Sequence, residues 1–203
     1  NNIETSYAVD SVPEYSGSEY IIINDNVPEF AESDFTTESF EEYSELDSLG
    51  RCGVAFANIG QDLMPTEERG SIGYIKPSGW QTVKYDIVDG KYLYNRCHLI
   101  GYQLTGENAN PNNLITCTRN MNASVMVKFE NDVADYIKET GNHVLYRVTP
   151  VFVGDNLLAS GVQIEARSVE DKGEGIQFNV YIYNVQEGIS IDYKTGESSL
   201  EKK

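Results

Sequence analysis

Residues 95–122 read NRCHLIGYQLTGENANPNNLITCTRNMN and hold seven asparagines together with one of the chain's two histidines. The side chains able to do chemistry there are His98, Arg96, Asn113 and Asn122, followed by Glu130 on the C-terminal side. Together they have the parts needed to cleave a phosphodiester with water. That reaction needs a base, a cation to stabilise charge on the phosphoryl oxygens, and help for the leaving oxygen. Histidine is the one side chain whose ordinary pKa makes a neutral base available near pH 7. Mg²⁺ prefers oxygen ligands and keeps several waters, so a single amide oxygen such as that of Asn122 suffices as a direct protein ligand. An uncharged ligand also leaves both charges of the cation free to attract a polyanion. Arg96 adds a planar donor fork suited to phosphate.

These residues must be brought together by the elements around them. Residues 91–100 read as a strand ending near His98, residues 101–112 as a polar loop, and residues 113–118 as a second strand. A helix is expected from Ala123 to Thr140, where Met126, Phe129, Val133, Tyr136 and Ile137 form one apolar stripe. Asn122 is placed to cap its start and Gly141 to close its end in the left-handed conformation. If the two strands pair, His98, Asn113 and Asn122 come close. Strand alternation puts Cys97 and His98 on opposite faces, so the two are not expected to serve one site.

Upstream, EYIIIN reads as a short strand and the acidic run FTTESFEEYSELDSLG as a short helix ended by Gly50. Downstream, residues 143–153, 157–169 and 176–185 read as long strands joined by the turns GDN and EDKGEG. Long antiparallel strands with one long helix indicate an α+β domain. Residues 1–17 are expected to be a flexible polar leader. Residues 18–203 are expected to form a single domain, with 18–50 as an acidic N-terminal strand/helix addition.

The net charge of −17 argues at first against a nucleic-acid partner. Its distribution weakens that objection. Residues 1–50 carry thirteen Asp and Glu and no Lys or Arg, while the remaining residues carry nineteen acids and fifteen bases. A local basic surface is therefore available outside the first quarter. Lys76, Arg69, Arg119 and Asn95 are candidate substrate contacts, the three cations as partners for backbone phosphates. No stretch approaches the roughly 20 apolar residues of a membrane span, so no stable membrane insertion is expected. Three cysteines suit neither a disulfide-dense scaffold nor a paired-CxxC zinc site. They fit one disulfide plus a free thiol after export, or three buried thiols in a reducing compartment.

Segment 91–141 resembles the ββα-metal core of the DNA/RNA non-specific endonucleases, and most closely their bacterial DNA-entry branch. That family carries Asp-Arg-Gly-His, then an Asn on the second strand, an Asn at the helix start and a Glu along the helix. Asn95-Arg96-Cys97-His98 occupies the signature, with Asn95 for Asp and Cys97 for Gly, and Asn113, Asn122 and Glu130 follow at gaps of nine and eight from Asn113 to Asn122 to Glu130. The likeness extends from about Gly50 to Glu197. It implies a ββα-metal fold with a central antiparallel sheet flanked by helices. It also implies a sequence-indifferent hydrolase of DNA and RNA, secreted or tethered at a bacterial surface. His98 would be the base, Asn122 the Mg²⁺ ligand (Mn²⁺ able to replace it), and Arg96, Asn113 and Glu130 catalytic partners. The alternative is a weakly catalytic nucleic-acid-binding or DNA-uptake module on the same fold.

Each residue also has a plainer reading. Asn122 could only cap the helix, Glu130 could be a solvated acid, and Asn108, Asn110 and Asn112 could simply build loop turns. His143 reads as a surface residue beside the helix C-terminus. Trp80 could line the substrate groove or serve only for packing.

Overall fold

The computed structural model describes residues 5–203. The strands, in chain order, are β1 (Ser6–Tyr7), β2 (Tyr20–Ile23), β3 (Phe40–Tyr43), β4 (Ala55–Ile59), β5 (Tyr94–His98), β6 (Leu114–Thr118), β7 (Val144–Val151), β8 (Gly161–Ser168), β9 (Gln177–Tyr183), β10 (Ile189–Ile191) and β11 (Ser198–Leu200). A single helical turn, α1 (Tyr102–Thr105), lies between β5 and β6, and the long helix α2 (Val127–Thr140) follows a π-helical turn over Met121–Met126. Seven strands form one sheet in the order β1-β2-β9-β8-β7-β4-β3, antiparallel except for the β1–β2 pair at its edge. The β5–β6 pair is a separate antiparallel hairpin.

Alternation along the central strands decides what covers each face of the large sheet. Tyr146 and Val148 of β7, Ile164 and Ala166 of β8, and Val180 and Ile182 of β9 enter the main core. There they meet Val133, Ala134 and Ile137 of α2 and Cys97, Ile115 and Cys117 of the hairpin. The apolar stripe read from the sequence is thus the buried face of α2. Gly141 closes the helix at φ 72°, its N–H bonded to the Ile137 carbonyl.

The opposite face carries Arg147, Glu165, Gln163 and Asn179, and the N-terminal quarter covers it. Arg147 pairs with Glu165 at 2.8 Å and also donates to the Glu29 carbonyl, while the Glu29 N–H donates to Glu165. The Arg147 guanidinium lies over the rings of Phe30 and Phe56. Asn179 is held by Asn26 and Val27. Residues 26–30 of the acidic segment therefore pack on the side of the sheet away from α2. Other parts of it reach the opposite side, where Tyr20 packs on Phe129 of α2 and the Tyr43 hydroxyl meets Thr105.

Two expectations need correction. Residues 36–50 form no α-helix. Phe40–Tyr43 is strand β3, and the turn after it is closed by Asp47, which accepts from the N–H groups of Leu49 and Arg51. Pairing with β4 and the contact of Phe40 with Phe56 outweigh the helical propensity of the glutamates. Residues 5–17, read as a leader, lie against the sheet edge: β1 pairs with β2, and the Tyr183 hydroxyl donates to the Pro13 carbonyl. Residues 1–4 of that leader lie outside the described residues.

Candidate active site

The β5–β6 hairpin positions His98 through its register. His98 pairs with Leu114, so the strand end and the start of β6 face each other directly. Asn113, completely buried, locks this end: its Oδ1 accepts from the Ile100 N–H and its Nδ2 donates to the Ile100 carbonyl. Both ends of the amide are thus spent on backbone. Asn113, expected among the catalytic residues, is thus placed behind His98 and not among the side chains lining the cavity that contains His98.

His98 is buried, and its Nε2 lies 2.9 Å from the Asn108 carbonyl oxygen. A carbonyl can only accept, so Nε2 carries the hydrogen and the neutral ring keeps its lone pair on Nδ1. Asn108 is held in turn by its own Nδ2, which donates to the Gly70 carbonyl. Burial lowers the imidazole pKa and Arg69 lowers it further, against the opposing effects of the Asn108 carbonyl and Glu107.

Asn122 reaches the same place by a route the sequence pattern does not reveal. It sits within the π-helical turn Met121–Met126, after residues that are already helical, and so is not the N-cap. The wide turn breaks the α-helical ladder beside the hairpin, as such turns often do at functional sites. Its Nδ2 donates to Asn95 Oδ1 at 3.1 Å, and Asn95 Oδ1 also accepts from Arg119 at 3.4 Å. Asn95, expected at the substrate, lines the neighbouring cavity with Arg119 and also holds the Asn122 amide. The Asn122 Oδ1 receives only the Cys97 thiol, at 3.4 Å. The expectation that Cys97 has no part in the site is therefore corrected. Cys97 and His98 do leave opposite faces of β5, but Asn122 lies over the strand and touches the Cys97 side.

Glu130 completes the cluster from the first turn of α2. Burial pushes its carboxyl up to about 7, against the pull of a Gln103 hydrogen bond and Arg69. Its carboxylate packs directly on Gly101, where a β-carbon would lie 2.5 Å from Glu130 Oε2. Only glycine leaves the acid room at that position. Nothing in the sequence pattern marks Gly101, and the pattern offers Asn108 only as a turn residue, whereas its carbonyl holds His98.

His98, Arg96, Asn122, Glu130 and Arg69 line one cavity of about 220 Å³. Arg96 is fixed by two backbone carbonyls, Ile75 at 2.5 Å and Gly73 at 2.8 Å, with its guanidinium 4.0 Å from the centre of the Trp80 ring. Arg119 lines a neighbouring cavity with Trp80, whereas Lys76 is exposed on the adjoining loop and lines neither. Asn110 builds a loop turn as expected, accepting from the Asn112 N–H. His143 pairs with Glu170 at 3.0 Å, away from the cluster. Cys52, Cys97 and Cys117 are all buried and unbridged.

Comparison with known proteins follows from this geometry. A family profile described as DNA/RNA non-specific endonuclease matches residues 32–170. NucA from Streptococcus agalactiae with a magnesium ion bound is 26% identical, with a TM-score of 0.77 over 88% of this chain and 85% of that one. Its metal-free form gives 25% identity and a TM-score of 0.81 over 96% and 92%. Sda1 nuclease with a bound zinc ion gives 26% and 0.76, over 91% and 97%.

Proposed function

The chain belongs to the DNA/RNA non-specific endonuclease family, and on that premise we propose a Mg²⁺-dependent enzyme that cuts DNA and RNA with His98 as general base. The observation that carries this reading is the tautomer imposed on His98: Nε2 is committed to Asn108, which leaves Nδ1 as the only basic nitrogen in the cavity shared with Asn122 and Glu130.

The donor set suits a hard, partly hydrated cation. Among the described residues no group of three or more His, Cys, Asp or Glu side chains could hold a metal. A closed all-protein cage is therefore absent there, and Asn122 Oδ1 is under-used, since a thiol is a weak donor. Mg²⁺, which keeps most of its waters, needs little more than this one oxygen. Mn²⁺ accepts the same ligand. The magnesium-bound NucA and zinc-bound Sda1 structures support a divalent ion for this chain. Bound there, the cation supplies positive charge to the phosphoryl and leaving oxygens.

The protein's own groups do the rest. His98 Nδ1 takes the proton of the attacking water. Arg96, held flat by Trp80 and two carbonyls, presents its uncommitted Nη1 to a phosphoryl oxygen. Glu130, beside Gly101, orients waters in the cavity. Arg69 and Arg119 add positive charge on either side, and Lys76 adds it farther out on the surface. Contacts made to backbone phosphates rather than to base edges would leave cleavage indifferent to sequence. Such an enzyme would harm the cell that makes it, so action outside the cell or at its surface belongs to the same proposal. Among the described residues no helix is long and apolar enough to cross a membrane.

One experiment tests the reading: nicking of supercoiled plasmid and cleavage of RNA, with Mg²⁺ and with EDTA, over a range of pH. Activity should need the cation and vanish with EDTA. Because the base works unprotonated and burial lowers its pKa, the limb of kcat/KM that belongs to His98 should lie below the ordinary imidazole value of about 6.5. In Glu130→Gln, which removes the carboxyl pushed up to about 7, it should be the acidic limb that remains. An acidic limb centred well above that value in this variant would rule out His98 as the titrating base.

A further inference from the structure

We propose that the second cavity, walled on one side by Tyr92, is a subsite for one nucleoside of the strand being cut, next to the scissile phosphate. This rests on the nuclease reading above. The cavity is about 520 Å³, within the roughly 300–1,000 Å³ typical of small-molecule pockets. It shares Ile72, Arg96 and Asn122 with the catalytic cavity. A phosphate seated between Arg96 and Asn122 therefore has one neighbouring nucleoside directed into this space.

One wall is an aromatic face, set beside the polar side chains of Thr82, Asn95, Arg96, Arg119 and Asn122. Tyr92 supplies that face: it is 45% exposed, with Lys84 Nζ 4.7 Å from its ring centre. Trp80 braces the site instead, packed on the second apolar core around Leu93, Tyr94 and Leu158, carrying Arg96 on its ring and giving its Nε1–H to Thr82. At the rim, Arg119 makes only two 3.4 Å contacts, and its buried Nε has no partner. It therefore keeps donors for the next phosphate along the strand. Aromatic faces accept any base, so the subsite adds affinity without sequence preference. They also favour a base free to leave its stack, so single strands should be cut more readily than duplex.

The test compares an oligothymidylate strand with an abasic strand of equal length, using wild type, Tyr92→Ala and Tyr92→Phe. Tyr92→Ala should raise KM for oligothymidylate about tenfold, as expected for loss of one stacked base. Tyr92→Phe should keep the wild-type value. On the abasic strand all three proteins should share one raised KM and one kcat, showing intact chemistry. An equal effect of Tyr92→Ala on both strands, or none on either, overturns the subsite while leaving the nuclease reading standing. Absence of any Mg²⁺-dependent cleavage by wild type would overturn both.

Discussion

His98→Ala is expected to lower kcat/KM for DNA cleavage by about 10²–10⁴, the range a positioned general base contributes, with KM little changed. Alanine alone does not isolate the cause. His98 is buried and holds the Asn108 carbonyl, so its removal also loosens the loop that lines the cavity. His98→Gln separates the two roles. A glutamine amide can donate to the same carbonyl but has no basic nitrogen. If His98 supplies the base, Gln is as inactive as Ala although it keeps the loop in place. If His98 only ties down residue 108, Gln restores most of the rate. Single-turnover cleavage of one labelled oligonucleotide by the three proteins, beside their melting curves, decides the matter. Recovery of activity in His98→Gln would end the assignment of the base.

The site was legible in the sequence to the extent that its parts are local. His98, Asn113, Asn122 and Glu130 lie within thirty-three residues, and a strand–loop–strand–helix order brings such neighbours together without long-range information. The α2 stripe, its Gly141 stop and the β7–β8 and β8–β9 hairpins were readable for the same reason. What the pattern concealed depends on partners far along the chain. Phe40–Tyr43 looks helical until β4 supplies its pairing and Phe56 covers Phe40. Ser6–Tyr7 has too little apolar content to signal a strand, and pairs only because β2 presents an edge. The contact between Cys97 and Asn122 depends on a π-helical turn that no residue type announces. Arg147 and Glu165 are equally silent in the pattern: they fasten Glu29, 118 and 136 residues away in sequence, to the face of the sheet opposite α2.

The second large effect concerns Asn122. Asn122→Ala removes the one oxygen proposed to touch the cation, and a metal's charge stabilisation of several kcal/mol corresponds to a loss of about 10²-fold or more. The loss should be worst at low Mg²⁺, with the half-saturating concentration raised. Asn122→Asp distinguishes ligation from packing. Its carboxylate is a stronger ligand, so Mg²⁺ should bind more tightly, measurable by calorimetry in the absence of substrate. The same added charge cancels part of the cation's pull on phosphate, so cleavage at saturating Mg²⁺ should still be slower than wild type. It also places an acceptor against Asn95 Oδ1, where Asn122 Nδ2 now donates. Asn95 can answer by turning its amide, at the expense of its bond from Arg119. Tighter binding with slower turnover is a combination that simple loss of folding cannot produce. If Asn122→Asp binds Mg²⁺ no more tightly than wild type, and Asn122→Ala leaves the titration unmoved, the cation is held by other groups and Asn122 serves only the helix.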